Sequence, residues 1–259
     1  MDPERTEVFV EGVEDKRFLE RLLEMPRSEN SLVWIIDTVE IAGSEGGNRG
    51  RLMRFGSGLE GESVRIRLFA DADTDRVLQR QIPKHVWITD HRDMEGYCLR
   101  VECFHGVVEV IQAIPPLSAL NLLDSVMRIG RRVGQLRVLS DSDRLRLAFQ
   151  RTQLKPRLSI SGNAIVLDEE RYLQVLLQNS RFSLKRVTEL MEGWDSIESA
   201  LQSVTDLELI HGHDAEEILA WGLDKAISAR IAGKLLRSTF QSGLVDPQST
   251  LQKVITYLS

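Results

Sequence analysis

The chain opens with two successive periodicities. Residues 7–10, EVFV, form a short apolar run that stops on Glu11. From Val13 the spacing changes, and VEDKRFLERLLEM sets Phe18, Leu19, Leu22 and Leu23 on one face of a helix. SLVWIIDTVEI (31–41) is mostly apolar and rich in β-branched residues, which predicts a second strand. AGSEGGNRGRLMRFGSG (42–58) concentrates glycine and reads as a loop with a short helix around Leu52. SVRIRLFAD (63–71) begins alternating and ends apolar, and HVWITD (85–90) comes next as a fourth strand. Strands separated by helix or loop in this order predict an α/β fold with a parallel sheet flanked by helices.

After about Leu99 the pattern becomes helical. PPLSALNLLDSVMRIGRRVGQL (115–136) predicts a helix after its two prolines, and RLSISGNAIVLD (157–168) a small hairpin turning at Gly162 and Asn163. From Glu169 onward helical spacing dominates, and Asp214 with Glu217 has the spacing of a capping box opening the longest helix, DAEEILAWGLDKAISARIAGKLLRS. The expected division is an α/β core at 1–100, a helical and hairpin extension packed on it at 101–165, and a helical C-terminal region at 166–259.

Composition narrows the class. With 259 residues, 42% hydrophobic and 28% charged, the chain can bury a core. It has no apolar run long enough for a membrane span and no signal-like N-terminus. Its two cysteines, Cys98 and Cys103, are too few for a disulfide scaffold, so a reducing cytoplasm is expected. A net charge of −6 argues against sequence-blind nucleic-acid binding by the whole surface, while leaving room for a basic groove or a metal that offsets acid.

Acid collects where such sheets place functional groups, at the carboxyl ends of strands. The first strand ends at Glu11, with Asp15 four residues on; the third ends in Asp71, Asp73 and Asp75; the fourth leads to Asp90, Asp93 and Glu95. Carboxylates about 4 Å apart repel by roughly 4 kcal/mol at an effective dielectric of 20, so this clustering calls for protonation or for cations. Many hard oxygen donors suit Mg²⁺ or Mn²⁺ rather than zinc. DADTD is not an EF-hand, because its sixth and twelfth positions are Arg76 and Ile82.

The blocks VEGVEDKRFLERLL, LFADADTD and DHRDMEGYCL, with the glycine-rich GSEGGNRGRL between the first two, together resemble the Toprim domain. They are most similar to the overcoming-lysogenization-defect (OLD) nucleases and to small stand-alone Toprim effectors such as the nuclease subunit of the PARIS anti-phage system. The resemblance spans about residues 7–99, and IHGHDAEEILAWGL is similar to the small effectors as well. It implies a Toprim-like sheet and Mg²⁺- or Mn²⁺-dependent hydrolysis of phosphodiesters in RNA, tRNA included, or in DNA. It further implies an anti-phage role under an ABC-type or OLD-like ATPase partner. That ATPase is expected on a separate chain, since no GxxxxGK[ST] loop occurs here. A non-catalytic Toprim module that binds nucleic acid or an ATPase scaffold is the alternative.

By this resemblance Asp71 and Asp73 are the main metal ligands, joined by Asp75, and Glu11 binds metal or acts as general base. Asp15 serves a second ion, and Glu95 orients a ligand or water. The lysine of OLD-type sites is open among Lys84, Lys155 and Lys185. Arg49, Arg51 and Arg54, beside the glycine loop, and Arg128, Arg131 and Arg132 are candidate phosphate contacts, which position a substrate without reading its sequence. The C-terminal helices are candidates for a homodimer or partner interface.

Overall fold

In the computed structural model, which describes residues 6–23, 31–41, 46–62, 64–111, 117–224 and 226–259, the first apolar run becomes an inner strand, β1 (Thr6–Val10). It pairs in parallel with β2 (Ser31–Ile35) on one side and β3 (Ile66–Ala70) on the other, and β4 (Val86–Ile88) completes the order β2-β1-β3-β4. Both faces of β1 are covered, which is why it reads as a continuous apolar run rather than an alternation. Phe9 belongs to a core with Ile36, Leu52, Leu68 and Val86, while Val8 and Val10, which point to the opposite face, are fully buried. α1 (Val13–Leu22) returns the chain to β2 and buries Phe18, Leu19 and Leu22, as its spacing predicts.

The glycine-rich stretch holds the expected helix around Leu52, and more of the stretch is helical than expected. Residues 42–45 lie outside the described residues, but the chain beyond them forms a three-turn helix, α2 (Gly47–Gly58), with Leu52 and Gly56 buried. A Cβ on Gly56 would sit 2.5 Å from Val86 Cγ2, so this glycine permits close helix–strand approach instead of marking a loop.

The chain packs as two compact units, one formed by Met1–Asp75, Gln79–Met94 and Gln241–Ser259, the other by Arg76–Leu78 and Glu95–Phe240. This partition cuts across the expected segments at 1–100, 101–165 and 166–259. The last helix of the first unit, α10 (Thr250–Leu258), packs on β1. The second unit contains α3 (Val101–Ile111), α4 (Ala119–Ser142), the antiparallel hairpin β5 (Leu158–Ser161) and β6 (Ala164–Leu167), and α5 (Glu169–Asn179). α6 (Val187–Ala200), α7 (Asp206–Leu209), α8 (Gly212–Leu223) and α9 (Ala229–Thr239) complete it. Gly162 turns the hairpin with φ of 58°, in agreement with the sequence.

The long C-terminal helix expected from Asp214 is instead two helices, α8 and α9. His211 is the cap of α8, its Nδ1 accepting from the His213 N–H, and Asp214 forms a two-pronged ion pair with Arg137 at 2.8 and 2.9 Å. Arg137 lies on α4, so that carboxylate is committed to packing rather than to capping. Among the described residues no helix is long and apolar enough to cross a membrane.

α4 is the spine of the second unit, touching α3, α6, α7, α8 and β6. At Gly134 it meets α7 so closely that a Cβ would lie 2.1 Å from the Leu209 carbonyl oxygen. An exposed helical glycine replaced by alanine gains about 1 kcal/mol. Here Gly134→Ala is expected to lose about 1–3 kcal/mol through overpacking. Urea unfolding reads the sign; a midpoint equal to or above that of the parent contradicts this packing.

Candidate active site

Neighbouring parallel strands bring their carboxyl ends together, so Glu11 after β1 meets Asp71 after β3. The Asp71 N–H donates to Glu11 Oε1 at 3.1 Å, and Asp71 Oδ1 accepts from the Met94 N–H at 3.0 Å. Asn48, on the first turn of α2, donates to the Glu11 carbonyl at 2.6 Å. Asp73 has φ of 48°, a left-handed conformation that costs most side chains energy and that Asp tolerates. Its N–H donates to the Arg92 carbonyl at 2.7 Å, which holds the turn.

Arg49 stands among these acids. Arg49 reaches Glu11 at 3.3 Å through Nη1 and Asp73 at 3.2 Å through Nε, and it pairs with Asp75 through Nη2. It also donates to the Asp71 carbonyl. Asp75 takes a second partner, Arg80, at 3.1 Å. Three carboxylates therefore share one guanidinium. Burial pushes the Glu11 carboxyl up to about 7; the Arg49 charge opposes this, and the Asp73 charge adds to it. Burial works against the charge of Arg49, yet Asp73, Asp75 and Glu11 together hold its pKa above the ordinary value.

The expected residues separate into those the fold gathers and those it uses elsewhere. Glu11, Asp71, Asp73 and Asp75 share the sheet edge. Asp15 stands at the third position of α1 and accepts from the Gly12 N–H at 2.9 Å, so one of its oxygens caps that helix. Asp90 accepts from the Thr250 N–H at 2.7 Å and from its hydroxyl at 2.9 Å, which closes the start of α10. Glu95 belongs to the second unit, where Arg237 bonds it and Glu216, each at 2.6 Å; burial raises its pKa.

Arg49, expected to touch phosphate, faces the acids, while Arg51 and Arg54 lie partly buried on the same helix. Arg128, Arg131 and Arg132 lie in the second unit and tie its elements together. Of the three candidate lysines only Lys84 lies in the unit that holds the acids. Asn48, which anchors Glu11, is the residue that sequence reasoning missed. Its only signal is position, directly before Arg49 and after two glycines.

Neither a scan against protein-family models nor a search of curated protein sequences finds a match to this chain.

The donor chemistry fits a hard divalent cation, since every candidate ligand is a carboxylate oxygen. Among the described residues no three His, Cys, Asp or Glu side chains are already drawn around one point for an ion. Glu11, Asp73 and Asp75 are drawn to Arg49 instead, and a cation entering the cluster competes with that guanidinium.

The raised pKa of Glu11 fixes a sign. Its folded value, about 7, exceeds its ordinary 4.5, so its contribution to stability is full below about pH 4.5 and is lost as pH rises through 7. In metal-free buffer the parent is expected to lose up to about 3 kcal/mol relative to Glu11→Gln between pH 4.5 and 8. Parallel stability curves for the two proteins contradict the assignment.

Proposed function

We propose that this protein is a divalent-metal-dependent phosphodiesterase of the Toprim type that cleaves RNA or DNA. The observation that carries the reading is the meeting of Glu11 with the Asp71–Asp73–Asp75 turn at one parallel-sheet edge. There Glu11, Asp73 and Asp75 all reach Arg49, and Arg80 adds a second cation at Asp75. A fold gains nothing in stability from excess like charge, so the arrangement is best explained by a cation that arrives with a substrate.

Asp71 and Asp73 hold the metal, with Glu11 and Asp75 beside them. Mg²⁺ or Mn²⁺ supplies there the charge that stabilises a phosphodiester transition state and lowers the pKa of a bound water. Glu11, whose carboxyl titrates near neutrality, is matched to holding or accepting a proton during attack. Arg49 turns from the acids to a substrate phosphate, which its fork can grip in two-pronged fashion. Asp15 stays with its helix and acts on the site through its charge. Glu95 stays with Arg237, outside the chemistry.

The Toprim resemblance of residues 7–99 is also the ground for a defence role beside a separate ATPase chain, with the C-terminal helices as the surface for that partner or for a second copy. One observation favours a rival reading. Arg49 fills the acid cluster as a structural fastener would, which suits a non-catalytic module that binds nucleic acid or an ATPase scaffold.

Metal and activity separate the two. Mg²⁺ or Mn²⁺ is expected to raise the melting temperature of the parent by mass action and to leave Asp71→Asn/Asp73→Asn unmoved. With tRNA and duplex DNA as substrates, Glu11→Gln is expected to lose cleavage by at least about a hundredfold while keeping its circular dichroism. An equal metal shift in parent and double variant, or undiminished cleavage by Glu11→Gln, removes these residues from the chemistry.

A further inference from the structure

The chain is acidic overall, with a net charge of −6, yet the second unit holds two long stretches without an acid. Residues 144–157, RLRLAFQRTQLKPR, carry five Lys and Arg, and residues 171–186, RYLQVLLQNSRFSLKR, carry four. The fold joins these stretches. The Ser180 hydroxyl accepts from the Ala148 N–H at 2.8 Å, and the Asn179 amide donates to the Arg151 carbonyl at 2.8 Å. Arg146, Arg151 and Arg181 each lie within two residues of one of these bonds. Lys185 sits in the short helical turn at 184–186 that α5 and α6 both touch.

The arginines of α4 are consumed by packing. Arg128 holds the Ile165 carbonyl, Arg131 the Leu201 and Val204 carbonyls, Arg132 bonds Glu169, and Arg137 pairs with Asp214. Arg146, Arg151, Arg181 and Lys185 differ. All four are exposed, and none of their side chains has a hydrogen bond or ion pair among the described residues. The acids that flank the two stretches are bonded elsewhere, Asp143 to Ser142 and Glu189 to Arg186.

The backbone supplies an independent observation. Arg144, Arg146 and Arg181 have φ of 54°, 54° and 61°, the left-handed region that glycine enters freely and other side chains oppose. Glycine would relieve that strain, so arginine at three such positions points to a use for the charge outside packing.

Unpaired cations gathered on an otherwise acidic molecule attract a polyanion. The half-exposed rings of the two stretches, Phe149 and Phe182, already carry the guanidinium groups of Arg137 and Arg186, 4.3 and 5.2 Å from the ring centres. Neither ring is therefore an open platform for an unpaired base. What is offered is charge, which suits the phosphate backbone of a duplex and reads no sequence.

We propose that Arg146, Arg151, Arg181 and Lys185 form a surface that binds the phosphate backbone of double-stranded nucleic acid. This extends the reading of the protein as one that acts on nucleic acid, takes only the ligand class from it, and needs neither the acid cluster nor metal.

The test is fluorescence anisotropy of short labelled duplexes with the whole protein, in EDTA, across a range of NaCl concentrations. Because EDTA removes metal, the outcome is independent of the metal and cleavage tests of the acid cluster. Saturable binding that ignores sequence is expected, with log K falling against log salt at a slope of about −3.6 for four phosphate contacts. Arg146→Gln/Arg151→Gln is expected to bind at least about tenfold more weakly at low salt, with a slope shallower by about 2. Arg181→Gly is expected to melt no lower than the parent, since glycine accepts that φ, and to flatten the slope by about 1. Arg230→Gln/Lys234→Gln removes two exposed cations of α9 and is expected to keep the slope, with affinity within about twofold of the parent. The proposal is overturned by absence of saturable duplex binding to the parent, or by slopes equal in the parent and the folded variants. An equal loss in Arg230→Gln/Lys234→Gln overturns it, as do single strands bound more tightly than duplex, or phosphatidylserine vesicles bound in place of nucleic acid.

Discussion

At one edge of a parallel sheet Glu11, Asp73 and Asp75 compete for a single guanidinium, that of Arg49. Carboxylates gathered around one guanidinium repel one another, and Arg49, with Arg80 beside Asp75, offsets only part of that. The rest is met by taking charge away. Burial holds the Glu11 carboxyl near half-protonated at neutral pH, and backbone N–H groups donate to Glu11 and to Asp71. Several elements of the first unit have a part in this balance. β1 and β3 deliver the acids, α2 delivers Asn48 and Arg49, and the left-handed turn at Asp73 brings its carboxylate within reach of Arg49.

The second unit holds both arrangements: Arg137 pairs with Asp214 alone in a two-pronged contact, while Arg237 is shared by Glu95 and Glu216. Breaking one partner from such a pair leaves a bare buried charge, so these contacts belong to the architecture. Gln135, by contrast, has its amide buried without hydrogen-bond partners among the described residues. Trp34 Nε1 and Tyr257 Oη in the first unit, and Arg157 Nε in the second, are likewise buried without a hydrogen-bond partner among the described residues.

Much of the sheet was legible, because strands covered on both faces appear as apolar runs, and runs that end on acid mark the carboxyl edge of a parallel sheet. Glu11, Asp71 and Asp73 were readable as neighbours at that edge for the same reason. What escaped were choices made between equivalent side chains. Nothing in the spacing tells that Asp15 caps α1, that Asp90 closes α10, or that Glu95 serves Arg237, since any of these carboxylates could face an ion. The glycines of α2 read as loop punctuation because close packing and turn formation demand the same residue. The break between α8 and α9 escaped because helical spacing continues across it. Arg49 was legible as a cation, and its partner was not, because a strand-end acid and a phosphate attract a guanidinium equally.

Arg49 is proposed to hold the place of a cation which the acids are built to receive. Mn²⁺ binding monitored by electron paramagnetic resonance, in the parent, in Arg49→Gln and in Asp71→Asn/Asp73→Asn, is the decisive experiment. Removing a competing guanidinium should tighten binding. Saturable Mn²⁺ binding is expected in the parent, at least about tenfold tighter binding in Arg49→Gln, and none in the double variant. Binding that is absent in the parent and in a folded Arg49→Gln, or equal in all three, contradicts that role for Arg49 and the acids.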